Sequence, residues 1–75
     1  MIEFEIGDIL YWVTKNNEIK KKSIRFITYD EYGNYEKLEI RDNNRFIFFT
    51  IYDIGIKIFY HKDDAEMFVK ICEDL

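Results

Sequence analysis

The side chains able to do chemistry are few and scattered. His61 is the only histidine, Cys72 the only cysteine and Ser23 the only serine. A thiol or hydroxyl nucleophile needs a base within hydrogen-bond reach. Cys72 lies eleven residues from His61, about three helical turns along what reads as one helix. Ser23 has no flanking glycines of the nucleophile-elbow kind. A metal site around His61 would need carboxylates as its other ligands, since no second histidine or nearby cysteine exists. Two carboxylate pairs, Asp63-Asp64 and Glu3-x-Glu5, have the residue types of glycosidase chemistry, but that chemistry needs a cleft between the two acids. The first pair reads instead as charge at a helix start, and the second as charge that discourages edge pairing of strands. None of the three glycines builds a phosphate loop. The sequence points away from an enzyme and implies no cofactor and no metal.

Two other groups of residues could make a binding surface. Lys20, Lys21, Lys22 and Arg25 form a basic run, and tyrosines such as Tyr11 and Tyr29 could stack bases beside it. Alternation in a strand sends Lys20 and Lys22 to one face and Lys21 and Arg25 to the other, which splits the patch. The second group is apolar. Phe46, Phe48 and Tyr52 share one strand parity, while Ile47, Phe49 and Ile51 share the other. One set can enter the strand's own core. Either the fold covers the other set internally, or it stays exposed and marks a partner or a dimer. Met67 and Ile71 add apolar positions away from the core face of the helix.

The elements that hold these residues can be read from periodicity. Asp8 to Thr14 is apolar on both alternating sets, as in a strand buried on one face and covered on the other. Ile19 to Tyr29 reads as one long strand whose apolar parity switches midway, which predicts a bulge or a sharp bend of the kind that turns the corners of small barrels. A turn at Asp30 to Asn34 leads to a third strand, Tyr35 to Arg41, with Leu38 and Ile40 inward and Lys37, Glu39 and Arg41 outward. Asp42-Asn43-Asn44 is the next tight turn. Arg45 to Ile51 is the fourth strand, and Gly55 to Tyr60 a short fifth. From residue 62 to 75 the period becomes helical, placing Ala65, Phe68, Val69, Cys72 and Leu75 on one face. The sum is a mainly β chain of five strands closed by one C-terminal helix, forming a single domain over residues 1–75.

Several of these segments resemble a known group. Gly7-Asp8-x-Leu10-Tyr11-Trp12-Val13, followed by Asp53-Ile54-Gly55-x-x-Ile58-Phe59 and then Asp63-Asp64-Ala65-Glu66, is similar to small uncharacterised proteins of low-GC Gram-positive bacteria and their phages. Those read GD-x-V-Y-x-V and DIG-x-x-V-F-x-T-x-E-E-A-E. The resemblance covers nearly the whole chain and implies a five-stranded SH3-like small barrel with a C-terminal helix. Where the pattern has the threonine that caps the helix, this chain has His61, which weakens the capping box, although Asp64 keeps the third helical position. The resemblance implies no activity.

Composition sets the outer limits. A chain of 75 residues buries only about 60 to 65% of its unfolded surface, so it needs a rich core. Aromatic residues make up 19% of it, and each buried ring removes roughly 150 to 250 Å² from water. A single cysteine rules out an internal disulfide framework and fits a reducing compartment. The acidic start MIEFEIGD lacks the basic residues of a signal peptide, and apolar runs such as Phe46 to Phe49 are strand-sized. A cytoplasmic protein with no membrane association is expected. Abundant Ile, Lys, Asn, Tyr and Phe, no proline and Ala65 as the sole alanine are the usage of an AT-rich genome. The net charge of −4 is the wrong sign for a protein whose main task is gripping phosphate.

The expectation is a non-enzymatic module that binds a host protein or a second copy of itself. A phage accessory or anti-defence role follows from the resemblance, with Phe46, Phe48, Tyr52, Met67 and Ile71 as the contact residues. A nucleic-acid binder using Lys20, Lys21, Lys22 and Arg25 is the alternative from another class, and a homodimeric structural protein is a third.

Overall fold

The computed structural model describes residues 3–75; of the single domain expected over 1–75, residues 1 and 2 lie outside the described part. Six strands form, not five: β1 (Ile9–Val13), β2 (Ile19–Ser23), β3 (Phe26–Tyr29), β4 (Tyr35–Asp42), β5 (Arg45–Phe49) and β6 (Ile58–Phe59), followed by helix α1 (Lys62–Glu73). They make two three-stranded antiparallel sheets, ordered β2-β1-β6 and β3-β4-β5. Among the described residues the sheets do not join into a closed five-stranded barrel.

The extra strand comes from the segment expected to be bent. Its parity switch is resolved by a complete break at Ile24 and Arg25, where the chain leaves the first sheet as β2 and enters the second as β3. Ile24 at this corner is buried, and its amide bonds the Asp8 carbonyl at 2.9 Å. The Arg25 amide already bonds Glu39 in the second sheet at 2.8 Å. The Ile24 carbonyl accepts from the Gly7 amide at 2.8 Å, so both groups of the buried Ile24 backbone are paired, as burial of a bend requires.

Other boundaries also differ from the sequence reading: β1 is one residue shorter at each end than Asp8 to Thr14, and β4 runs on through Asp42, expected in the turn. β5 stops at Phe49 because Thr50 caps a 3₁₀ turn, Ile51–Asp53. The Thr50 hydroxyl accepts from the Tyr52 amide at 3.3 Å, and the Asp53 carboxylate accepts from the Thr50 amide at 2.9 Å. The fifth strand expected over Gly55 to Tyr60 shrinks to Ile58–Phe59, since Gly55 turns with φ +84°, a region that favours glycine. The helix ends at Glu73, and Leu75 is fully exposed instead of joining its buried face.

The packing has three layers. Even-numbered residues of β1, Leu10 and Trp12, face the second sheet and pack with Ile24, Leu38, Ile40, Phe49 and Ile58. Odd-numbered Tyr11 and Val13 face α1 and pack with Phe59, Ala65, Phe68 and Val69. The two-sided apolarity of β1 thus has its physical reason: the strand is the middle layer. Phe4 joins the inter-sheet core, stacked on Tyr60 with ring centroids 4.8 Å apart. No helix among the described residues is long and apolar enough to cross a membrane.

Candidate functional site

β4 positions most of what could act at the surface. Its inward residues Leu38, Ile40 and Asp42 are all buried, so Lys37, Glu39 and Arg41 must face out. The register sets Glu39 between Phe26 of β3 and Phe48 of β5, and Arg41 beside Phe46. Phe26, Phe46 and Phe48 are each more than half exposed, at 61, 51 and 57%. The Arg41 guanidinium lies 4.8 Å from the Phe46 ring centre, and the Lys37 ammonium 6.0 Å from that of Phe48. Both are cation–π distances, and such contacts hold the charged stems flat along the sheet. Between Phe26 and Phe48, the Oε2 of Glu39 is shielded from solvent and has no hydrogen-bond partner among the described residues. An enclosed carboxylate oxygen left unpaired is costly, and a donor arriving with a partner would satisfy it.

The five residues expected to bind protein are all exposed, but the fold does not gather them. Phe46 and Phe48 share the outer face of β3-β4-β5. Tyr52 sits in the 3₁₀ turn, in a groove with Tyr29 and Tyr35. Met67 and Ile71 lie on the outside of α1. Phe48 of β5 and Phe68 of α1 line one depression, together with Ile56. Phe26 belongs with Phe46 and Phe48, a grouping absent from the sequence reading: in one long strand it has the parity of Ile24, which is buried. The break at Ile24 and Arg25 resets the parity.

The basic run meets a different fate. Lys20 and Lys22 do share a face, but it is the one toward Asp42 at the inner end of β4. The Lys20 Nζ lies 3.3 and 3.2 Å from the two Asp42 carboxylate oxygens, and the Lys22 Nζ 3.0 Å from Oδ1. Arg45 approaches to 3.8 Å. Lys20 also stands 5.6 Å from the Trp12 ring centre. The hydrogen bond from Lys22 holds the Asp42 carboxyl below its ordinary value; burial opposes this, and the bond and charge of Lys20 reinforce it. Lys21 and Arg25 remain exposed. The sequence did contain the signal. Asp42 has the inward parity of Leu38 and Ile40, and a buried acid must find a cation.

The remaining chemical groups stay apart. His61 occupies the N-cap of α1 without a side-chain capping bond. Cys72 is half-buried near the other end of the same helix. Asp63 and Asp64 fill the first helical turn, where they complement the dipole. Ser23 pairs with Ile9 at the end of β2. Among the described residues, no three His, Cys, Asp or Glu side chains converge as a metal site. Comparison with family models, curated proteins and solved structures finds no match.

Proposed function

We propose that this chain is a non-enzymatic protein-binding module working through the outer face of β3, β4 and β5. One observation carries the reading: Phe26, Phe46 and Phe48 stand more than half exposed on a single face, interleaved with Lys37, Glu39 and Arg41. Aromatic rings and arginine are the residues that supply most binding energy at protein interfaces. Monomeric proteins rarely leave such a patch uncovered without use. The partner is a host protein, and the role an accessory or anti-defence one, as the likeness to phage-borne small proteins suggests. The same likeness, with the sharp corner at Ile24 and Arg25, supports reading the two sheets as an open form of an SH3-like small barrel.

The test compares the wild type with a Phe46→Ser/Phe48→Ser double variant in capture from a low-GC Gram-positive lysate. A host protein retained by the wild type and lost with the variant is the expected result. Retention by both, or by neither, overturns the reading. Light scattering on the same samples separates a host partner from a second copy, because self-association raises the mass with concentration.

A further inference from the structure

A second site lies at the end of the β3-β4 hairpin. There the register steps from Thr28↔Lys37 to Tyr29↔Tyr35, so Glu36 is an additional residue on β4. Such a bulge reverses the facing of everything beyond it. Tyr35 therefore points inward, although its odd number matches the outward residues Lys37, Glu39 and Arg41. Its hydroxyl is fixed by the Phe4 backbone, accepting from the amide at 2.5 Å and facing the carbonyl at 3.3 Å. Tyr29 lies against it with ring centres 5.5 Å apart. The 3₁₀ turn brings Tyr52 to the opposite wall, 81% exposed. The result is a groove of about 660 Å³ lined by these three tyrosines and by Glu3, Asp30 and Glu36.

No lysine, arginine or histidine lines this groove. The Oδ1 of Asp30 accepts from the Tyr32 and Asn34 amides, both at 2.9 Å, which fixes the turn. Its Oδ2 and the Glu36 carboxylate make no hydrogen bond or ion pair among the described residues. We propose that the groove takes an arginine side chain presented by a basic peptide segment. A guanidinium is flat and weakly hydrated, so it stacks on tyrosine faces while its fork of donors meets carboxylates. Three carboxylates with no counter-cation favour that charge and repel phosphate. This site does not depend on Phe26, Phe46 or Phe48, and the double variant at 46 and 48 is expected to keep it.

The experiment titrates the ¹⁵N-labelled full chain with a short end-blocked peptide carrying one central arginine, and with its citrulline counterpart. Saturable shifts at the Tyr29, Gly33, Glu36 and Tyr52 amides are expected with arginine only. Tyr52→Ala and Glu36→Gln each weaken binding by about two- to fivefold while leaving the rest of the spectrum in place. No shift at those amides, equal shifts with citrulline, or wild-type affinity in Tyr52→Ala would overturn the proposal.

Discussion

Lys20 on β2 grips both carboxylate oxygens of Asp42 on β4, at 3.3 and 3.2 Å, and so ties one sheet to the other. Lys22 joins from the same strand at 3.0 Å. The basic run that could have gripped phosphate is thereby half spent on the fold itself. Asp42 is the only buried charged residue among those described, and removing its partners would leave a carboxylate stranded.

Acid should reveal this tie. The Asp42 carboxyl is held below its ordinary value in the fold, so the unfolded chain binds the proton first. Its contribution is complete above the unfolded value of about 3.9 and is lost as pH falls through the lower folded value. Urea midpoints of the wild type and Asp42→Asn, measured from neutral pH downward, should differ by a constant amount until about pH 5 and converge below about pH 4. A gap that ignores pH in that window would show that the ion pairs contribute no linkage.

The inter-sheet core should be far more sensitive to truncation than the outer face. Ile40 is 1% exposed, and Ile40→Ala removes buried methyl groups at a cost of about 2–5 kcal/mol. A chain of this length has only roughly 4–11 kcal/mol in total, so the variant is expected to be partly unfolded at 37 °C. Phe46→Ser/Phe48→Ser should stay within about 1 kcal/mol of the wild type. Calorimetry on the two variants checks the contrast. Comparable losses in both would mean that the outer phenylalanines stabilise the fold and are not free for a partner.

Much of this arrangement was legible in the residues. The alternation of Leu38 and Ile40 with Lys37, Glu39 and Arg41 set the two faces of β4 correctly, and the double apolarity of Asp8 to Thr14 pointed to a strand covered on both faces. Local competition decided the rest. The run Arg45 to Ile51 read as one strand because its apolarity hid the Thr50-x-x-Asp53 capping pair, which ends the strand with two side-chain hydrogen bonds. The inward turn of Tyr35 depends on a single additional residue, Glu36, and a bulge leaves no periodic trace when its neighbours are all polar or aromatic. The Asp42 ion pairs join residues 22 and 20 positions apart, Lys20 and Lys22 with Asp42, so turn chemistry at Asp42-Asn43-Asn44 concealed them.

The N-terminal segment gives an alkaline counterpart to the Asp42 prediction. The Tyr60 hydroxyl donates to the Glu3 carbonyl, and burial raises its ionisation above the ordinary phenol value, with Asp8, Tyr35, Glu3 and Glu5 adding to the rise. A raised value favours the protonated form in the fold. The associated stability is full below about pH 10 and is lost as pH climbs through the higher folded value. Spectrophotometric titration should show one of the six tyrosines ionising later than an exposed tyrosine, and Tyr60→Phe should delete that late step. The variant should cost about 0.5–1.5 kcal/mol at neutral pH, the net value of one hydrogen bond. A late step that survives Tyr60→Phe would reassign it to another ring.

Helix docking rests on the sole alanine. Ala65 has no exposed surface and sits against Val13 of β1 and Phe59 of β6. A larger side chain there must push α1 off the sheet. Leucine is nearly as good a helix former as alanine, so Ala65→Leu tests packing and not propensity. Overpacking is expected to cost about 1–3 kcal/mol, whereas Met67→Leu, on the exposed side of the same helix, should change stability by less than about 0.5 kcal/mol. The check is the urea midpoint of the two variants together with hydrogen exchange of the α1 amides. Faster exchange across α1 in Ala65→Leu, with β4 amides still protected, would place the strain at the helix–sheet contact. Uniform loss of protection would instead mean that the two cores unfold as one unit, and wild-type stability would mean that the contact is loose enough to take an isobutyl group.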